Sequence, residues 1–122
     1  QIQQIQAKAV SSDAYHVERA CQFIAQHYAQ NLSLTNLAES LGLHPNYVSS
    51  LFKKVRGTSF SQYLRHVRIQ EACRLIRETN EKLYAIGELV GYPDPVHFTR
   101  TFKEDMGCSP REYRRTHPRV ES

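Results

Sequence analysis

Asn46, Ser49, Ser50 and Lys53 follow the spacing i, i+3, i+4 and i+7, and fifty residues later Val96, Thr99, Arg100 and Lys103 repeat it. On a helix that spacing puts four side chains on one face. The groups it gathers suit the edges of base pairs in a duplex. Asparagine can bond adenine bidentately, arginine can do the same with guanine, and small hydroxyls suit several bases; Val96 and the Thr99 methyl can touch the methyl of thymine. Lys53, Lys54, Arg65, Lys103, Arg111 and Arg114 are instead candidates for phosphate, which positions a protein on a duplex without reading its sequence.

The two sets fall within two copies of one longer pattern. LAESLGLHPNYVSSLFKKVRGTSFSQY begins at Leu37, and IGELVGYPDPVHFTRTFKEDMGCSPREY begins at Ile86. Glu39 and Gly42 match Glu88 and Gly91. After one extra residue in the second turn, Pro45, Phe52, Lys53, Gly57, Ser59 and Tyr63 match Pro95, Phe102, Lys103, Gly107, Ser109 and Tyr113. Each copy reads as helix, glycine turn, helix, the arrangement whose second helix enters the major groove.

The elements that must position these faces are all helical, for no segment alternates like a strand. Apolar residues Val17, Ala20, Cys21, Ile24, Ala25 and Tyr28 predict a first helix over residues 12–30, with Ser12 or Asp13 as N-cap. Residues 1–11 are expected to be a linker, or the end of an upstream helix, and poorly ordered. A second helix follows Ser33, burying Leu34, Leu37, Ala38 and Leu41, and a third runs from Pro45 to Gly57 with Val48, Leu51, Phe52 and Val55 inward. Ser59 and Gln62 form a capping-box pattern opening a long helix to about Thr79. The second copy supplies a helix over residues 82–90, one from Pro95 to Gly107 with Phe98 and Phe102 inward, and one opened by the box Ser109–Glu112 and ended by His117-Pro118. The expected architecture is all-α, about seven helices: a first helix-turn-helix subdomain over 12–58, a linker helix over 59–79, a second subdomain over 80–117 and a tail over 118–122.

Roughly twenty residues of linker helix, at about 1.5 Å rise each, span about 30 Å. Successive major-groove faces are about 34–36 Å apart. The spacing therefore predicts two readers on one asymmetric, bipartite site of about 15–20 base pairs, extrapolated from that half-site separation.

Composition agrees with a polyanionic partner. The 122 residues hold 16 Lys+Arg against 12 Asp+Glu, a net charge of +4, and residues 43–70 carry five basic side chains and no acid. A phosphate track rewards such local clusters. Cys21, Cys73 and Cys108 lack metal or redox spacing, and the six histidines are scattered, so no metal or cofactor is expected. There is no phosphate-binding glycine loop or nucleophile elbow, which argues against an enzyme. No run is long and apolar enough for a membrane span, and a cytoplasmic location fits unpaired thiols. The chain opens at Gln1, which reads as a fragment of a longer protein. The alternative, a helical protein-interaction module, predicts apolar stripes where these are polar or basic. It also predicts little salt dependence, whereas six phosphate contacts give a log–log slope of roughly −5.

The run GTSFSQYLRHVRIQEACRLI, followed by AIGELVGYPDPVHFTRTFKEDMGCSPREYRR, resembles the C-terminal DNA-binding domain of AraC-type (AraC/XylS) bacterial transcription regulators. Gly91, Tyr92, Phe98, Arg100, Phe102, Lys103, Gly107, Ser109, Pro110, Tyr113 and Arg114 carry the family signature. The resemblance implies a double-stranded-DNA-binding domain, with Asn46, Ser49, Ser50, Val96, Thr99 and Arg100 as base readers, and two reading units in one chain suggest that the isolated domain is a monomer. It further implies activation by recruiting RNA polymerase, and a separate effector-binding or dimerising domain outside this chain. Three positions depart from the family: Ser50 stands where arginine is common, Gly87 replaces alanine, and His44 occupies an N-cap where serine is common.

Overall fold

A computed structural model describes the backbone of residues 2–118 and the side chains from Ser12 to Pro118. The expected tail lies outside the described residues except for Pro118. Seven helices and no strand occur among the described residues: α1 (Ile2–His27), α2 (Leu34–Leu41), α3 (Pro45–Arg56), α4 (Phe60–Glu78), α5 (Leu83–Leu89), α6 (Pro95–Met106) and α7 (Pro110–Thr116). The chain divides into two compact units, residues 1–27 with 32–64 and residues 28–31 with 65–122, so α4 begins in the first and continues in the second.

The start of α1 corrects the sequence expectation. The helix begins at Ile2, and Ser12 and Asp13 lie inside it. Serine and aspartate favour helix starts without forcing them, and residues 1–11 contain no glycine or proline to stop a helix propagating. The buried face of α1 is also narrower than its apolar stripe. Val17, Ala20 and Ile24 are buried, Cys21 is half-buried and Ala25 is exposed.

In the first unit, Leu37, Ala38 and Leu41 of α2 and Val48, Leu51 and Phe52 of α3 join the α1 residues in the core, with Phe60 and Leu64 from the start of α4. Leu34 is only half-buried, and Val55, expected inside, is 41% exposed. Val55 has the helical phase of Val48, but it lies in the last turn of α3, which the core leaves largely uncovered. Tyr63 packs on Phe52 with ring centroids 5.6 Å apart, and Arg56 lies over its ring at 5.5 Å. Burial pushes the Tyr63 phenol up to about 12.

The second unit has a core of Ile69, Ala72, Cys73 and Ile76 from α4, Ile86 from α5, Val90 and Tyr92 from the turn, Phe98 and Phe102 from α6, and Tyr113 from α7. Arg77 donates to the Tyr113 hydroxyl at 2.6 Å, tying α4 to α7. Arg68 donates from Nε to the carbonyl of Tyr28 (2.7 Å) and from Nη2 to that of Gln30 (2.8 Å), securing the segment after α1 against α4.

Gly87 explains its own departure from the family pattern. It is buried in α5, and a Cβ there would stand 2.9 Å from Cδ2 of Phe98 and 3.3 Å from the Tyr92 carbonyl oxygen. Helix propensity alone says alanine stabilises such a site by roughly 0.8–1.0 kcal/mol. Crowding a close-packed core costs about 1–3 kcal/mol, and the Phe98 ring is fully buried with no room to retreat. Gly87→Ala is therefore expected to lower stability by about 1 kcal/mol net, the crowding outweighing the propensity gain. A urea midpoint above that of the unsubstituted chain would show that the α5–α6 contact has slack.

Candidate nucleic-acid interface

Both candidate recognition helices start and stop by local chemistry that the sequence announces. Pro45 and Pro95 occupy the first helical position, and Gly57 and Gly107 close the helices at φ 74° and 81°. The N-caps differ in residue but not in geometry. Asp94 Oδ1 accepts from the Val96 N–H at 3.0 Å, and His44 Nδ1 accepts from the Asn46 N–H at 3.1 Å. His44 therefore does the work expected of serine, with its lone pair at Nδ1. The preceding helix α2 is held by a box in which Ser33 and Asn36 cap one another. The capping boxes expected at Ser59–Gln62 and Ser109–Glu112 both form, with all four hydrogen bonds at 3.1 Å. The Ser109 N–H donating to Glu112 holds that carboxyl below the usual carboxylate range.

The faces of α3 and α6 separate as their sequence spacing requires. Val48, Leu51 and Phe52 point inward on α3; Phe98, Thr101 and Phe102 occupy the equivalent places on α6. On the opposite side of α3, Asn46, Ser50 and Lys53 are exposed and Ser49 is half-buried. On α6, Val96 is 71% exposed, and Thr99, Arg100 and Lys103 are exposed beside it. All eight predicted face residues are thus presented to solvent wholly or in part, in two matching sets. The Ser50 hydroxyl donates to the Asn46 carbonyl at 3.1 Å, which leaves its oxygen lone pairs to face outward.

The six expected phosphate contacts do not share one environment. Lys53, Lys103 and Arg111 are exposed and have no salt bridge among the described residues. Lys54 is bonded to Asp13 at 2.8 Å, which raises its pKa, and Arg65 is bonded to Asp105 at 3.0 Å. Arg114 donates to the Thr79 carbonyl at 3.3 Å. The acid-free run at residues 43–70 is therefore less cationic than its composition suggests. Acids distant in sequence neutralise two of its side chains, and Arg68 is spent on backbone carbonyls. The sequence carried no local signal for these partners.

The chain belongs to the AraC-type family of transcription regulators, as their C-terminal DNA-binding domain. Residues 37–116 match the family of helix-turn-helix domains. Over 96 residues it is 38% identical to an uncharacterised helix-turn-helix transcriptional regulator, YisR, of Bacillus subtilis (strain 168), covering 79% of this chain and 33% of the relative. It is 34% identical to the arabinose operon regulatory protein of Escherichia coli (strain K12), covering 80% of this chain and 34% of that protein. Its structure is similar to the C-terminal domain of AraT, a response regulator from Geobacillus stearothermophilus, with a TM-score of 0.82, 37% identity and 88% of each chain covered. The chain spans about a third of the length of those two curated relatives. The domain binds DNA and is not an enzyme. No helix among the described residues is long and apolar enough to cross a membrane.

Proposed function

We propose that this domain reads one asymmetric, bipartite operator, α3 in one half and α6 in the other, in successive major grooves. The observation that carries the reading is the pair of matching outward faces on two equivalent helices, each backed by a buried apolar face. Asn46, Ser49 and Ser50 meet base edges in one half-site, and Val96, Thr99 and Arg100 in the other. Lys53, Lys103 and Arg111 hold phosphates directly. Lys54, Arg65 and Arg114 join them by exchanging intramolecular partners for phosphate. That exchange is easiest for Lys54, whose ammonium stands in solvent, and harder for Arg65, whose partner Asp105 is largely covered. The domain acts as a monomer in the cytoplasm, within a longer regulator whose effector domain lies outside this chain. That regulator activates transcription through RNA polymerase.

Selection of the purified domain against a random duplex library near physiological salt tests the reading. Two unlike half-sites about one helical turn apart are expected. A single half-site would mean that only one unit reads bases. On the selected site, Arg100→Ala is expected to cost about 1–3 kcal/mol and to relax preference at one base pair of one half-site. Asn46→Ala should do the same in the other half-site. A uniform loss across all sequences would make the substituted residue a phosphate contact instead.

A further inference from the structure

Pro95, Val96, Thr99, Arg100 and Lys103 line a shallow, open depression of about 480 Å³ on the outward face of α6. Its surface is almost wholly carbon although two of the five residues are cations, so Arg100 and Lys103 contribute mainly their aliphatic stems. Val96, the second residue of α6, is one of the five and is the most exposed large hydrophobic side chain among the described residues. An apolar depression at the leading end of a helix proposed to read bases suits an apolar counterpart. The major groove offers one small group of that kind, the methyl on C5 of a pyrimidine; the remaining edge atoms are hydrogen-bond donors and acceptors.

We infer that this depression reads the C5 methyl of a pyrimidine lying next to a guanine held by Arg100. The inference rests on the base-reading role proposed for α6 and adds what that face distinguishes. Thymine and 5-methylcytosine present the same methyl and differ at position 4, which a carbon-lined surface does not sense. The depression therefore accepts either base and disfavours unmodified cytosine. Binding of this half-site then responds to cytosine methylation of the DNA.

The test uses the 122-residue chain and a duplex that it selects, with each thymine of the α6 half-site replaced singly by deoxyuridine, which removes only the methyl. Affinity is expected to fall about fourfold at one thymine, equivalent to about 0.8 kcal/mol for one buried methyl at 1.4 kcal/mol per tenfold. With cytosine at that position, methylating C5 should strengthen binding by a similar factor. Val96→Ala lies outside the core, and it should bring the thymine-to-deoxyuridine ratio close to one. The inference is overturned if deoxyuridine matches thymine at every position while base-pair swaps in that half-site still weaken binding; base reading by α6 then stands without it. It is equally overturned if the selected half-site contains no thymine, or if Val96→Ala leaves the ratio unchanged. If neither methyl removal nor base-pair swaps there matter, α6 reads no bases and the proposed function falls with it.

Discussion

Phe102→Ala is expected to lower the stability of the domain by about 3–5 kcal/mol, the range for removing a fully buried aromatic ring. Phe102 is 0% exposed, and its ring meets Phe98 at 5.9 Å and Tyr113 at 5.6 Å between centroids, both edge-on. Edge-on aromatic pairs contribute about 0.5–1.5 kcal/mol beyond the area they bury. The cavity left behind has little freedom to close. Its walls come from α4, α5, α6 and α7, and Tyr113 is fixed by the hydrogen bond from Arg77. A loss at the upper end of the range is a large part of the roughly 5–15 kcal/mol that holds a domain folded.

The consequence for recognition is more specific than the loss of stability. Phe102 shares α6 with Val96, Thr99 and Arg100 but is buried on the opposite side, so it bears on how firmly the proposed reading face is held. At a temperature where Phe102→Ala is still folded, preference should weaken in the α6 half-site and persist in the α3 half-site. Phe52→Ala should produce the mirror result. Urea unfolding gives the stability, and selection with each variant gives the preference. Equal fading of both half-sites in the folded variant would sink the idea that the two units read separately.

What the sequence made legible is what residues within one helical turn decide. Pro45, Pro95, Gly57, Gly107 and the capping boxes at Ser59 and Ser109 act on their own neighbours, and each marks a boundary the structure respects. The inward and outward residues on α3 and α6 follow from helical period and were readable in the same way, except Val55, which the last turn of α3 leaves exposed. Most of what escaped depends on partners far along the chain. Lys54 finds Asp13 forty-one positions away, Arg68 finds the Tyr28 carbonyl at forty, and Arg114 finds the Thr79 carbonyl at thirty-five. Composition counts those cations as available, and only the fold decides which are already engaged. Gly87 is the same case for packing, because its need for glycine comes from Phe98 on another helix. The start of α1 failed for a different reason: a good N-cap permits a helix to begin and does not prevent one from passing through.

Gly91→Ala is the second large effect, expected at about 2–5 kcal/mol, because two penalties meet at one residue. The first is backbone. Gly91 has φ +105°, in the left-handed half of the map, where an L side chain costs roughly 1–2 kcal/mol. The second is crowding. A Cβ there would stand 2.9 Å from Arg68 Nε and 3.1 Å from the Tyr28 carbonyl oxygen. Arg68 has no easy retreat, since that same Nε donates to Tyr28, Nη2 donates to Gln30, and the guanidinium lies 5.4 Å from the centre of the Tyr92 ring. Moving it gives up charge-assisted hydrogen bonds worth roughly 1.5–3 kcal/mol each. Gly42 supplies the control within the same chain. It occupies the matching turn at φ +70°, but a Cβ there would meet nothing within 4 Å, so Gly42→Ala should show only the backbone cost. The difference between the two variants reports the crowding together with the extra backbone strain of φ +105° over +70°, and equal urea midpoints would mean that Arg68 yields freely. In the double variant Arg68→Ala with Gly91→Ala, the crowding should vanish while the backbone cost remains. The two substitutions should therefore together cost less than their sum, by about the 1–3 kcal/mol of overpacking that Arg68 imposes.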